Sequence, residues 1–206
     1  MIKVEKIETY GWEASARGMR NPMNSWDKSD SCYDADGNYI LGENDLALAK
    51  KLSRAGSDHR KFLRQIFVSM DITAPLYWWK EFDTYKVGTV ANSCSTMHKI
   101  HAKEFTLDDF SHEHLTSHFK TDLECVVLSL NYARRKFLET KDKDYWWQMI
   151  QLLPSSYNQL RTVTLTYENL LNMYRARKDH KLDEWRKFCE VIAELPYFKD
   201  FIDKGD

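Results

Sequence analysis

An apolar stripe between residues 123 and 138 constrains the fold of this chain more than any other feature. Its members are Leu123, Val126, Val127, Leu130, Phe137 and Leu138. Because an α-helix turns once in about 3.6 residues, this spacing places them along one helical face. Such a face must be buried against other elements of a core. The sequence therefore predicts a long helix packed into a globular domain.

Segments of alternating or β-branched residues predict the strands. "IKVEKIE" alternates apolar with charged residues, and "RQIFVSMDI" puts four apolar side chains on one face of a strand. "QLRTVTLTY" is rich in β-branched residues and is expected to be extended. In "CYDADGNYIL" an Asp-Gly pair stands between two short apolar arms, which predicts a β-hairpin.

Capping residues and prolines mark the expected helix boundaries. Asn44 is expected to cap a helix through "DLALAKKLSRAG", which Gly56 would end. Pro75 suits the first turn of a helix through "LYWWKEF", and "TLDDFSHEHLTSHF" begins like a capped helix. Further helices are predicted for "DYWWQMIQLLP", "ENLLNMYRARK" and "LDEWRKFCEVIAEL". No repeat or linker interrupts the chain, so residues 1–206 are expected to form one α+β domain.

Composition and charge exclude several classes of protein. The chain has 206 residues, of which 43% are hydrophobic and 14% aromatic, and this excludes a disordered or collagen-like chain. The net charge of −1 creates no global field that would recruit nucleic acid or an anionic membrane. No apolar run approaches the roughly 20 residues of a membrane span. The cysteines are far apart and form no CxxC pair, which predicts reduced thiols in a cytoplasmic protein.

Two patterns resemble metal sites but are incomplete. A calcium loop would take its oxygen ligands from Asp34, Asp36, Asn38 and Asp45. Its sixth position should be glycine but is Tyr39, so a plain hairpin is the better interpretation. Zinc ligands could come from Cys94, His98 and His101, or from His114 and His118, at helical spacings. Neither set completes a known zinc pattern, so no metal site is expected.

Two other clusters each have a structural and a ligand-binding interpretation. Trp78-Trp79 and Trp146-Trp147 are adjacent pairs. Since neighbouring helical residues point about 100° apart, one of each pair can lie in the core while the other borders a cleft. A core or subunit-interface role is favoured, and stacking on a base or a flavin ring is the alternative. "YRARKDHK" gathers Arg175, Arg177, Lys178 and Lys181. These cations either form a solvated helix end that complements the helix dipole or clamp a nucleotide.

The hydroxyl-rich stretch "TYKVGTVANSCSTMHKIH", residues 84–101, is typical of a ligand-binding loop. Together with the preceding "ITAPLYWWKEF", it resembles the flavin-dependent thymidylate synthase family. The family motif reads Arg-His-Arg-x-x-Ser-x-Asn-x-x-Ser-x-Arg-Tyr. With one extra residue allowed before the Asn, Thr89 matches the first Ser of the motif, Asn92 matches the Asn and Ser95 matches the second Ser.

A second block, "LLPSSYNQLRTVTLTYENLLNMYRAR", follows in the same order and aligns with the family without a gap. It matches the family Leu-Pro at residues 153–154, the helical Asn at Asn172 and the Arg five residues later at Arg177. The resemblance covers roughly residues 56–195. It implies an antiparallel sheet with long helices.

The resemblance also implies ligands and the residues that bind them. FAD would be bordered by Lys86, Thr89, Asn92 and Asn172. The substrate would contact Ser93, Cys94 and Ser95, which shape a backbone amide nest for an anion, and Arg177, which orients the base. NADPH and methylenetetrahydrofolate are implied as further cofactors of the family reaction. No residue is given a catalytic role, because the cofactors carry the chemistry.

The departures from the family motif bear on its activity. The flavin-gripping Arg-His-Arg becomes Thr-Tyr-Lys at residues 84–86, and the closing Arg-Tyr becomes Met97-His98. A second family arginine falls on Ile150. Because arginine holds phosphate through charged, bidentate hydrogen bonds, Met and Ile cannot replace it. Two hypotheses remain: an enzyme acting on a uracil-type nucleotide, or a non-catalytic relative that binds a nucleotide or a protein.

The assembly expected from the resemblance is a homotetramer, since the family builds its sites between subunits. The aromatic content of the chain supplies side chains suited to interfaces. A nucleotide is the expected ligand, and neither a membrane nor a nucleic acid is expected as a partner.

Overall fold

The computed structural model describes residues 1–202. Its strands are β1 (Lys3–Tyr10), β2 (Cys32–Tyr33), β3 (Tyr39–Ile40), β4 (Phe67–Pro75), β5 (Val90–Ser93) and β6 (Asn158–Thr166). Its α-helices are α1 (Trp12–Arg20), α2 (Glu43–Arg54), α3 (Leu76–Phe82), α4 (Ser117–Thr140), α5 (Lys143–Leu152), α6 (Tyr167–Arg177), α7 (Asp183–Ala193) and α8 (Phe198–Phe201). Short 3-10 helices cover Asn21–Met23, Trp26–Lys28, Arg60–Arg64 and Leu107–Asp109.

The main sheet has the strand order β1-β4-β6-β5, and β2 pairs with β3 in a separate hairpin. The Tyr167 N–H donates to the Ile66 carbonyl at 3.0 Å, and the Leu76 N–H donates to the Tyr157 carbonyl at 3.0 Å. As residue numbers increase along β4, the numbers of their hydrogen-bonding partners decrease along β6, so these two strands are antiparallel. The predicted α+β fold with an antiparallel sheet and long helices is confirmed.

The alternation in "RQIFVSMDI" produces the strand that it predicts. Val68, Met70 and Ile72 are all buried, while the residues between them are only partly buried. Pro75 closes β4 and occupies the cap position of α3 in an extended conformation. The strand therefore passes directly into the helix that carries Trp78 and Trp79.

Contacts divide the described residues into two compact units. Unit 1 comprises residues 1–3, 71–84 and 91–162, and unit 2 comprises residues 4–70, 85–90 and 163–202. The predicted extent of one domain also includes residues 203–206, which lie outside the described residues. Strands β4 and β6 each contribute residues to both units.

In unit 1 the core forms around the α4–α5 helical hairpin. The predicted stripe supplies the buried Leu123, Val127 and Leu130, which pack with Phe105, Phe110 and Met149. Lys141 adopts the left-handed conformation, φ 59°, at the end of α4, which lets α5 start after only a short turn. Trp78 and Trp79 are both fully buried, so this pair belongs to the core, which agrees with the favoured interpretation and leaves neither ring free to stack on a ligand.

In unit 2 the core is built from aromatic residues of the helices. Phe188 and Trp185 of α7 and the α8 residues Phe198 and Phe201 are all buried. Tyr167, the first residue of α6, lies among them and contacts Trp12, Phe198 and Phe201 ring to ring. These contacts fix the start of α6.

Two predicted helix starts are wrong for tertiary reasons. Asn44 lies inside α2, whose cap position is Gly42, and its N–H donates to the Asp30 carboxylate at 2.8 Å. After the 3-10 helix Leu107–Asp109, Phe110 becomes extended, is buried and bridges to Tyr157. The helix predicted from Thr106 onward is therefore interrupted, and α4 begins only at Ser117.

The predicted hairpin is confirmed by the antiparallel pairing of β2 with β3. Asp45, the last residue of the calcium-like pattern, is fully buried and accepts hydrogen bonds from Arg20, Ser29 and Ser31. It is a structural carboxylate.

No helix within residues 1–202 has both the length and the apolar character needed to cross a bilayer.

Candidate functional site

The predicted ligand-binding residues fall into two groups, one in each unit. Unit 1 holds Asn92, Ser93, Cys94 and Ser95. Unit 2 holds Lys86, Thr89, Asn172 and Arg177. Each group has its own geometry.

Strand β5 runs through the middle of the stretch that was expected to be a loop. It lies at the edge of the main sheet, and its Asn92 and Ser93 are exposed. Just beyond it, the Cys94 N–H donates to the Leu160 carbonyl at 2.9 Å, and the Cys94 carbonyl accepts from Gln159 Nε2 at 2.7 Å. The Cys94 N–H is thus occupied by the Leu160 carbonyl and does not join the amide nest expected across residues 93–95.

Ser95 organises a tight turn after the strand. Its Oγ accepts hydrogen bonds from the N–H groups of Met97, at 3.1 Å, and His98, at 2.9 Å. The Met97 carbonyl in turn accepts from Trp146 Nε1 at 2.9 Å. Because residues 94–101 form turns, Cys94, His98 and His101 do not share a helical face. The described part of the chain contains no cluster of three His, Cys, Asp or Glu side chains suited to a metal ion.

Cys94 and Ser95 line a cavity of about 400 Å³ in unit 1. Lys103 and Asp109, which also line it, form an ion pair. The hydrogen bond that Lys103 donates to Asp109 raises the pKa of Lys103, and burial raises the pKa of Tyr157 in the same wall. At neutral pH the cavity therefore presents a neutral phenol and a paired cation, a lining suited to a polar ligand.

In unit 2, Asn169 of α6 holds the backbone of residues 85–90. Its Nδ2 donates to the Val87 carbonyl at 2.6 Å and to Thr89 Oγ1 at 3.3 Å. Gly88 between them has φ +70° and passes close to the Asn169 side chain. The left-handed conformation favours glycine at this position. The segment that carries Lys86 and Thr89 is thus fastened to the first turn of α6.

Arg177 is held in place by two aromatic rings. Its Nε donates to the Tyr85 hydroxyl at 3.1 Å. Its guanidinium carbon lies 5.0 Å from the ring centre of the buried Trp185 and 5.8 Å from that of Tyr85. Such cation–π contacts are worth about 0.5–2 kcal/mol. The planar guanidinium is therefore pre-oriented by residues of its own chain.

The exposed Asn172 of α6 adjoins a partly buried charged cluster. Its Oδ1 accepts from Arg60 Nη2 at 3.4 Å, and both Arg60 and Arg64 pair with Glu168. Burial opposes ionisation of Glu168, but hydrogen bonds from the two arginines outweigh it and lower the pKa of the carboxyl. The two arginines and Glu168 together carry one net positive charge, part of which the nearby Asp58 offsets at Arg64.

Sequence reasoning missed Asn169 and Arg60. A signal for Asn169 was present, because Thr166-x-x-Asn is a helix-start pattern, and the Thr166 hydroxyl does accept the Asn169 N–H at 3.3 Å. Arg60 contacts Asn172 from more than one hundred residues away, and no local pattern could reveal it.

The whole chain superimposes on solved structures of one fold. Thymidylate synthase X (ThyX) from Helicobacter pylori, solved with FAD and dUMP, matches with a TM-score of 0.71 and 14% identity. The match covers 100% of this chain and 98% of that one. The chain has the ThyX fold. A UMP/dUMP methylase, PolB from Streptomyces cacaoi, solved with 5-Br dUMP, matches with a TM-score of 0.62, 13% identity and coverage of 97% and 93%. No family model and no curated protein sequence matches the chain.

Within this ThyX fold, the two positions that the resemblance assigns to phosphate-binding arginines have different surroundings. Ile150 is partly buried against the apolar core of unit 1. Met97 is 49% exposed, and both its N–H and its carbonyl are hydrogen-bonded within unit 1. Neither side chain offers a charged donor, so a ligand phosphate would need other partners.

Proposed function

We propose that this chain binds FAD and a uracil-type nucleotide, and that it acts as a divergent relative of the flavin-dependent thymidylate synthases with a folate carbon donor. The observation that carries the proposal is the fold match over the whole chain to ThyX, whose structures contain FAD and dUMP. The match to a UMP/dUMP methylase supports the same class of nucleotide.

The residues of unit 2 fit a flavin dinucleotide. Lys86 is an exposed cation, and Thr89 is fixed beside it on the segment that Asn169 fastens. Because the Asn172 Oδ1 faces Arg60, its Nδ2 donors face away from that arginine. The net positive charge of Arg60, Arg64 and Glu168 suits a pyrophosphate. On this proposal the cluster replaces part of the charge of the missing Arg-His-Arg triplet.

A bound reduced flavin would supply a hydride, which the side chains of this protein cannot provide. The task of the chain is to bind and orient. Arg177 would orient the base, and its restraint by Tyr85 and Trp185 would lower the entropic cost of doing so. Asn92, Ser93 and Ser95 would contact the cofactor or the substrate through their side chains. Use of NADPH as reductant and methylenetetrahydrofolate as carbon donor belongs to the same proposal.

The substrate would differ from dUMP in its phosphate contacts. Two charged hydrogen bonds worth about 1.5–3 kcal/mol each are missing at Met97 and Ile150, which implies at least about a hundredfold loss of affinity for dUMP. A uracil nucleotide with fewer phosphates or a modified base would avoid this loss. Such a substrate fits a divergent enzyme.

The second candidate is a non-catalytic relative that binds a nucleotide or a protein partner. Three observations favour it. The Cys94 N–H is bonded to the Leu160 carbonyl, the Tyr85 hydroxyl is bonded to Arg177, and Ile150 packs against the core of unit 1. In each case the family resemblance implies a contact with a ligand, and this chain makes an internal contact instead. This candidate predicts nucleotide or protein binding without turnover.

We also propose a homotetramer in the cytoplasm. Phe119, Leu128 and Tyr132 of α4 and Leu152 of α5 are large apolar side chains that stand exposed on unit 1. Exposed apolar side chains of this size, when they lie close together, are typical of subunit interfaces. Light scattering at micromolar protein should give the mass of a tetramer. A mass of 24.5 kDa, that of one chain, would contradict it.

The proposal is tested by titrating FAD into the purified protein and following the quenching of flavin fluorescence. We expect saturable binding and a loss of roughly tenfold in affinity for Lys86→Ala, the magnitude of one charged hydrogen bond. Lys120→Ala, which removes an exposed lysine of α4, is the matched control. Uracil nucleotides added to the flavin-loaded protein should perturb the flavin spectrum. Equal affinities for both variants would remove Lys86 from the site.

A further inference from the structure

A second cavity, in unit 2, lies among residues that play no part in the proposed flavin and nucleotide binding. Its volume is about 630 Å³, within the usual range for small-molecule sites. Its walls include the aromatic side chains of Tyr10, Trp12, Tyr33, Tyr39 and Tyr197. Among the described residues that line it, the charged side chain is Glu13, and none is Lys, Arg or His. The lining is thus rich in aromatic residues and holds one carboxylate.

The rings stand at steep angles to one another. Tyr33 and Tyr39 have ring centres 5.0 Å apart and planes at 71°. Trp12 and Tyr197 have centres 5.4 Å apart and planes at 69°. A planar base is held best between two parallel rings, whereas rings at steep angles form corners that fit a compact, rounded group. The geometry favours the second kind of ligand.

The rings are also fixed and electron-rich. The Tyr33 hydroxyl donates to Glu13 Oε2 at 2.8 Å, and the Tyr10 hydroxyl donates to Glu8. Both hydrogen bonds raise the pKa of the phenols, which stay protonated while their carboxylate partners polarise the rings. Arg17 contacts the other oxygen of Glu13 at 3.4 Å, so the ring faces must supply much of the attraction for a cation.

Tyr197 supports the wall from a strained position. Its backbone is left-handed, φ 58°, which costs free energy for a residue other than glycine. Its hydroxyl accepts the Leu41 N–H at 3.1 Å, which fixes the ring. A strained residue that presents a fixed aromatic ring to a cavity is typical of a built site.

We propose that this aromatic cavity binds the quaternary or N-methylated ammonium group of a small organic cation. Such a group is rounded, carries a diffuse positive charge and is attracted to aromatic faces without requiring hydrogen-bond acceptors. Because Glu13 is paired with Arg17, the aromatic rings supply the main attraction. The site is independent of flavin and nucleotide, because none of its lining residues belongs to the flavin and nucleotide groups.

The test is a calorimetric titration of the full chain with choline and, in parallel, with its neutral tert-butyl analogue, in which carbon replaces the nitrogen. We expect saturable choline binding and an analogue affinity lower by about tenfold, the size of a desolvated cation–π interaction. Equal affinities would show a merely apolar pocket and overturn the proposal. So would a lack of choline binding, or tighter binding of an uncharged nucleoside.

Two variants of Tyr33 distinguish the contribution of the aromatic ring to binding from that of side-chain volume. Tyr33 is 58% exposed, so its substitution should leave the fold intact. Tyr33→Phe keeps the ring face and should bind choline within about twofold of the parent, whereas Tyr33→Leu should weaken binding by about fivefold or more. Trp26→Leu, which removes an exposed aromatic ring that does not line the cavity, is the matched control and should leave choline binding unchanged. Equal binding by the Phe and Leu variants would overturn the proposal.

Discussion

Asn169 offers the sharpest test of how residues 85–90, the segment proposed to bind flavin, are held. Asn169→Ala removes the two hydrogen bonds that its Nδ2 donates, to the Val87 carbonyl and to Thr89 Oγ1. Hydrogen bonds of this kind contribute about 0.5–1.5 kcal/mol each. Because Val87 is 87% exposed, water can replace the lost donor, and the global cost should lie at the lower end, about 1 kcal/mol.

The effect on FAD should exceed the effect on stability. Without Asn169, residues 85–90 must be ordered when the ligand binds. Each backbone residue that becomes free costs roughly 1–2 kcal/mol to order, and we expect a cost equivalent to about one residue. That cost corresponds to a loss of about five- to thirtyfold in affinity for FAD. The melting temperature should fall by only about 2–4 °C.

The assay combines FAD titration with hydrogen exchange at residues 85–90. We expect faster exchange in that segment together with weaker FAD binding. Asn44→Ala, which removes an exposed side chain from α2, is the control and should alter neither. Parental FAD affinity in Asn169→Ala, alongside faster exchange in the segment, would show that residues 85–90 do not contact the flavin.

Three further predictions concern the nucleotide, acid stability and activity. Arg177→Ala should weaken binding of a uracil nucleotide by roughly 1.5–3 kcal/mol in calorimetry, and Arg175→Ala by much less. Equal losses from the two variants would show that both arginines are ordinary solvated side chains at the end of α6. Burial opposes ionisation of Asp45, but hydrogen bonds from Ser29, Ser31 and Arg20 outweigh it and lower its pKa below 3.8. Its stabilising contribution is therefore complete above that ordinary pKa and is lost as the pH falls through the folded value. Urea unfolding should show this decline in the parent. The free energy of unfolding of Asp45→Asn should be lower by about 3–5 kcal/mol at neutral pH, and it should change less as the pH falls. Expression in a thymidine-requiring strain should give weak growth or none, and robust rescue would show that other residues replace the missing arginines.

Local patterns were enough to predict the elements whose boundaries are set locally. The stripe from Leu123 to Leu138 gave α4, the alternation around Met70 gave β4, and the Asp-Gly pair gave the hairpin. For α4 and β4 the periodicity of the apolar residues matches the element that buries most of them, whereas the hairpin follows from its turn residues. These elements carry most of the information about the fold class.

Boundaries set by distant residues could not be predicted. Asp30 accepts the first N–H groups of α2 from outside the helix, which made a cap at Asn44 unnecessary. Phe110 leaves the helical path because it is buried and bridges to Tyr157. Both effects depend on tertiary contacts that the local sequence does not encode.

The same distinction applies to the candidate site. The resemblance drew attention to Thr89 and Arg177, but the groups that hold them are Asn169, Tyr85 and Trp185. A motif identifies residue types that a ligand needs, whereas the side chains that orient those residues come from elsewhere in the chain. Only the structure shows them.

Flavin content is the most direct measurement of the proposed function. The protein should be incubated with excess FAD, desalted and examined for flavin absorbance, with the bound FAD then released and quantified against the protein. We expect one FAD per chain, together with a spectral change when a uracil nucleotide is added. Protein that is correctly folded and retains no flavin would contradict the proposal and leave the non-catalytic relative as the better explanation of this fold.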